Sequence, residues 1–144
     1  RAGCDLVAAR KPPPAYEADT DGVRIRVQPR FMHDESEPAK HKFVWAYTVE
    51  LENGSERAWK LVSRHWEIID SEGRRQIVDG EGVVGQQPLI EPGGTFKYTS
   101  GAPLATPSGM MTGHYDLEAD DGALLSAQIP TFSLDSPYDK ARPI

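Results

Sequence analysis

The sequence has little cysteine: Cys4 stands alone, so no intramolecular disulfide forms and nothing demands an oxidising compartment. Long apolar runs are also missing. None approaches the roughly 20 residues that a membrane-crossing helix requires. Leu6-Val7-Ala8-Ala9 is too short for a signal-peptide core, and Arg10-Lys11 follows it where the basic residues should come first. Positive charge is in deficit, with 16 Lys and Arg against 22 Asp and Glu and a net charge of −6. That balance argues against double-stranded nucleic acid, whose affinity for proteins comes from cations displacing counterions, and against anionic lipid. A cytoplasmic protein without membrane insertion is the expectation. Helical periodicity is absent, since no window repeats its apolar residues every 3.6 positions between caps. No internal repeat of some 20 to 50 residues is visible either.

What the chain does contain is turn chemistry and alternation. Its 144 residues, 38% hydrophobic and 26% charged, suit one globular domain, and 13 Gly with 12 Pro suit many short strands. Residues 1–15 read as a flexible tail. Its Pro12-Pro13-Pro14 acts as a stiff spacer at a loose terminus, in preference to an SH3-type ligand. Residues 139–144 read as a second tail, leaving 16–138 as the domain. Within it Val23, Ile25 and Val27 alternate with polar residues and Pro29 ends the run. Phe43, Trp45, Tyr47, Val49 and Leu51 share one face, with Asn53-Gly54 as a hairpin-type turn of positive φ. Strands follow over Trp59–Ile69, Arg74–Val78, Pro88–Ile90, Thr95–Ser100, Met110–Leu117 and Ala123–Pro130, separated by Gly- and Asp-rich turns. Seven to nine strands at this spacing predict an all-β immunoglobulin- or fibronectin-III-like sandwich.

Few residues announce chemistry. Gly80-Glu81-Gly82-Val83-Val84-Gly85 matches the dinucleotide fingerprint GxGxxG, but the fingerprint works by opening a helix whose amides hold the pyrophosphate. Gln86-Gln87-Pro88 and a strand follow instead. Three readings of the loop remain open. Its amides form a helix-free anion nest, its glycines permit a tight turn while Val83 or Val84 plugs the core, or the loop is an exposed recognition element. In Ser63-Arg64-His65-Trp66, alternation puts Arg64 on the core side with Trp66 and Ile68, and Ser63, His65 and Glu67 on the other, unless a bulge inverts them. Arg64 and His65 then either contact a ligand, or Arg64 lays its stem over Trp66 and pairs with a carboxylate. Arg74 and Arg75 offer positive charge to an acidic partner. His33, His41, His65 and His114 are scattered without HxH or HxxxH spacing, and no EF-hand or DxD pattern exists, so no metal cage is expected. Ser100 and Ser108 lack a nucleophile context and no carboxylate pair stands out. The reading is a non-enzymatic binder without a cofactor, whose partner is a protein or a phosphate-containing small ligand.

Longer motifs then carry a resemblance. Ser63-Arg64-His65-Trp66, the run from Gly80 to Pro88, Tyr98-Thr99-Ser100-Gly101, Gly109-Met110-Met111-Thr112-Gly113-His114-Tyr115 and Ile129-Pro130-Thr131-Phe132-Ser133-Leu134 occur in an order that resembles the ApaG family. The match runs from about Tyr16 to Pro137. The resemblance implies an immunoglobulin/fibronectin-III-like sandwich and, for bacterial members, a link to cobalt and magnesium efflux. It also implies an operon shared with a diadenosine tetraphosphate hydrolase, and a protein-binding role in related eukaryotic domains. A chain with no membrane span would act on efflux only indirectly, through a partner or ligand.

Overall fold

A computed structural model describes residues 15–139, and the readings for Cys4, the triple proline and the C-terminal tail fall outside them, apart from Asp139. Nine strands form in chain order: β1 (Tyr16–Thr20), β2 (Val23–Phe31), β3 (Phe43–Asn53), β4 (Trp59–Asp70), β5 (Arg75–Glu81), β6 (Leu89–Ile90), β7 (Thr95–Leu104), β8 (Gly109–Glu118) and β9 (Leu124–Leu134). The only helical element among the described residues is one 3₁₀ turn, Pro38–Lys40. One antiparallel sheet runs β1-β2-β3-β7; the other runs β5-β4-β8-β9, with β6 beside β4. The fold is the expected all-β sandwich.

Alternation drives this arrangement. Val23, Ile25 and Val27 on β2, and Phe43 through Leu51 at every second position of β3, turn to the inside and are buried. From the second sheet Trp66, Met111, Tyr115 and Phe132 meet them. The Trp66 ring stands edge-on to Tyr47 at 5.3 Å and to Phe132 at 6.0 Å, the geometry that aromatic quadrupoles favour. Tyr47, on the first sheet, meets both Trp66 and Phe132 of the second and so knits the two sheets together.

Three local expectations need correction. Asn53-Gly54 is no hairpin, since β3 and β4 belong to different sheets and neither residue has positive φ. Asn53 is instead buried. Its amide nitrogen donates to the carbonyls of Arg57 and Ile90, and its side-chain oxygen accepts from Ser55. It thereby ties the sheet-crossing connection together. Pro29 does not end β2. The strand continues to Phe31 opposite Trp45, and β1 pairs only as far as Val27, so Pro29 lies where β2 has one neighbour and needs no donor on that side. Pro130 lies inside β9 for a related reason. The β8–β9 register shifts between Met111 and Gly113, and this bulge absorbs the missing N–H of Pro130.

The candidate site in the glycine hairpin and the Arg64 strand

The GxGxxG stretch opens no helix. It ends β5 and enters a hairpin whose two tip residues both have positive φ, Val84 at 42° and Gly85 at 79°, the pattern of a type I′ turn. Val83 and Gln86 close the turn with a reciprocal pair of backbone bonds at 2.8 Å. Each outer glycine has a packing reason. A methyl group on Gly82 would stand 2.0 Å from the Gln86 carbonyl oxygen, and one on Gly80 would stand 2.8 Å from the Arg64 guanidinium. The two valines part company. Val83 is 1% exposed and fills the core, as the plug reading had it for one of the pair, whereas Val84 is 55% exposed at the tip.

The hairpin docks on a bulge in β4. Pairing with β8 slips between Leu61 and Ser63, and the freed Val62 carbonyl accepts from the Gly82 N–H at 2.8 Å and the Gln87 amide at 2.9 Å. Beyond this bulge the strand resumes alternation, so Arg64 shares the core side with Trp66 and Ile68 as expected. Its partners differ from expectation. Arg64 Nη1 donates to the backbone carbonyls of Glu81 at 3.1 Å and Gly82 at 2.8 Å, not to a carboxylate. Arg64 therefore touches the loop directly.

His65 points to the opposite face, away from the hairpin tip. Its Nδ1 lies 2.6 Å from an Asp79 oxygen, and its Nε2 lies 3.5 Å from Glu67. Across the β4–β8 pairing its ring stacks on His114 at 5.0 Å, and His114 Nε2 lies 3.6 Å from Asp116. The sequence does not mark Asp79 and His114 as partners of His65, or Asp116 as a partner of His114, because only the strand register brings them together. The hydrogen bond to Asp79 holds the His65 imidazole above its ordinary value, with Glu67 adding to the effect and partial burial opposing it. Below the unfolded-state value near 6.5 this preference for the charged ring stabilises the fold, and the contribution is lost as pH rises through the raised folded value. Asp79→Asn is expected to move the His65 titration downward, read from the imidazole carbon-bound proton in an NMR pH series. An unmoved titration would assign the effect to Glu67.

Arg74 and Arg75 do not join Arg64 and the hairpin tip; Arg75 instead reaches the His65 cluster through Glu67. They sit at the far end of the β4–β5 hairpin, Arg75 opposite Ile69 and Arg74 beside Asp70, while Glu81 pairs with Ser63. Arg74 bonds Asp70 at 2.7 Å, which holds the Asp70 carboxyl below its ordinary value, and Arg75 lies 3.8 Å from Glu67. The structure thus gathers Gly80, Glu81, Gly82, Val83, Val84, Gly85 and Arg64 in one place, and sets His65, Arg74 and Arg75 elsewhere. Among the described residues, no three His, Cys, Asp or Glu side chains converge as metal ligands, and no helix is long and apolar enough to cross a membrane.

The same chain is matched over residues 33–119 by the family model for the ApaG domain. Protein ApaG of Maricaulis maris is 53% identical over 125 residues, covering 87% of this chain and 96% of that one. Protein ApaG of Paramagnetospirillum magneticum is 47% identical over 127 residues, covering 88% and 98%. A crystal structure of the putative ApaA protein from Bordetella pertussis superposes with a TM-score of 0.78 at 42% identity, covering 89% of this chain and all of that one. These matches span strands of both sheets and the Gly80–Pro88 hairpin, and on that ground the chain belongs to the ApaG family.

Proposed function

We propose that this domain is a non-enzymatic binding module that recognises a protein partner through the tip of the Gly80–Pro88 hairpin, and that it bears on cobalt and magnesium homeostasis through that partner. One observation carries the reading. Val84 is β-branched, sits at φ 42° and is 55% exposed. A β-branched side chain there is strained where glycine would not be, and strain of this kind collects at functional contacts. Exposed Glu81 on one flank and Leu89 on the other give the tip a mixed acidic and apolar character. The alternative, a phosphate-rich ligand held by loop amides, has less support, because the N–H groups of Gly82, Val83 and Gln86 already bond within the protein.

Val84→Gly separates contact from folding. The variant is expected to unfold at the same or a higher temperature, since glycine relieves the strain, and to lose a partner captured by crosslinked pull-down with the parent protein. Val83→Ala is the control: it should cost about 1–3 kcal/mol of stability while its folded fraction keeps capture. Full capture by Val84→Gly would overturn the reading.

A further inference from the structure

The sandwich is closed along one side, where β1 and β2 meet β9, and parted along the other, where the end strands β5 and β7 flank a cleft of about 200 Å³. Residues from four strands line it besides β7: Tyr47, Arg64, Trp66, Gln76 and Met111, with Ser100 on β7 itself. Most of this lining is aromatic or apolar. Gln76 and Ser100 are polar and neutral, and Arg64 carries the one charge in the lining.

The Arg64 guanidinium is a cation without a counter-ion. Its Nη1 donates to two carbonyl oxygens, and among the described residues no carboxylate pairs with it and its Nε and Nη2 have no partner. The titratable groups that feel its charge are three tyrosine hydroxyls, Tyr47, Tyr98 and Tyr115. Burial pushes all three upward against the opposing pull of Arg64, so none supplies negative charge. Tyr98 and Tyr115 in any case bond each other. Gly80 leaves the room that the guanidinium occupies, and the hairpin carbonyls fix its plane. A half-buried, immobilised and unneutralised guanidinium is costly to keep unless an anion repays the desolvation.

We infer that this cleft binds a small aromatic carboxylate, with its ring between the sheets against Trp66 and Met111 and its carboxylate on Nε and Nη2 of Arg64. The planar guanidinium edge matches a carboxylate with two parallel bonds. An apolar cavity of about 150 Å³ suffices for a benzene ring, so the volume here admits one ring and its acid group. A polyphosphate fits poorly, because a single cation would leave its further charges unpaired among apolar walls. This site is independent of partner recognition at the Val84 tip, and failure of either leaves the other standing.

Phenylacetate is the probe, titrated into the full chain and followed by NMR at the Trp66 indole N–H and the Arg64 Nε–H. Saturable shifts at both are expected, with a dissociation constant in the millimolar range or below. Neutral 2-phenylethanol should bind at least about tenfold more weakly. Arg64→Gln should weaken phenylacetate by a similar factor. Gln76→Trp, which fills the exposed mouth and leaves Arg64 intact, should do the same and decides the matter if Arg64→Gln does not fold. The proposal is overturned by absent or non-saturating shifts, by equal binding of the alcohol, by undiminished binding to Gln76→Trp, or by tighter binding of inorganic triphosphate.

Discussion

Gly113→Ala is expected to destabilise the domain by about 3 kcal/mol or more, among the largest effects any single methyl group could have here. Gly113 lies in the middle of β8 opposite Trp66, and an added Cβ would stand 2.0 Å from the His65 carbonyl oxygen. Relief would require β4 and β8 to part in the middle of their pairing, since the obstacle is backbone and not the mobile end of a side chain. The adjacent bulge gives no slack, because the register with β9 already slips between Met111 and Gly113. Gly73→Ala is the natural comparison. Its Cβ would meet nothing within 4 Å, and only the positive φ of 84° opposes it, so its cost should be about 1 kcal/mol. Urea unfolding of both variants checks the contrast. A Gly113→Ala midpoint as close to the parent as that of Gly73→Ala would show that the strands yield more easily than their geometry implies.

Trp45→Ala should cost about 3–5 kcal/mol. The side chain is 1% exposed, its ring packs edge-on against Phe31 at 5.4 Å, and its indole N–H donates to the Asp135 carbonyl at 2.7 Å. Truncation therefore opens a cavity and also frees the segment after β9, which that bond pins to the first sheet. Trp45→Phe separates the two. It keeps most of the volume but leaves the Asp135 carbonyl without its donor, for which a loss of about 1–3 kcal/mol is expected. Thermal unfolding with the tryptophan signal replaced by far-ultraviolet dichroism gives both values. Equal losses for the two variants would mean that the hydrogen bond, not the ring, matters at this position.

The strands were legible in the sequence because their apolar residues alternate and their turns are rich in Gly, Asp and Pro. β1 was the exception. Tyr16 and Ala18 do alternate with Glu17 and Asp19, but so short a run with one large apolar residue is a weak signal, and it becomes a strand by pairing with β2 from Tyr16 to Thr20. Prolines misled where they act as edge residues: Pro29 and Pro130 looked like terminators and prove to sit where no ladder donor is needed. The facing of Arg64 followed from its two-residue spacing to Trp66, and it held because the bulge falls upstream at Val62. Its partners did not follow. Carbonyls carry no residue-type signal, so nothing in the letters Glu81 and Gly82 marks their oxygens as acceptors for a distant guanidinium. The His65–His114 stack was hidden likewise, being fixed by a pairing between strands far apart in the chain.

The strand order also sets a schedule for the nascent chain. β3, with Trp45, Tyr47 and Leu51 on its inner face, gains its second neighbour only from β7, and every strand synthesised between them goes to the other sheet. Until Thr95–Leu104 leaves the ribosome, β3 therefore presents an unpaired edge of eleven residues beside an uncovered apolar face. At roughly 5–20 residues per second, that interval lasts seconds, long on the timescale of strand-to-strand association between chains. An edge of this kind is a template for pairing with a neighbouring polypeptide. The vulnerable phase of this domain thus comes during translation, and the finished sandwich, with β3 enclosed between β2 and β7, no longer displays it.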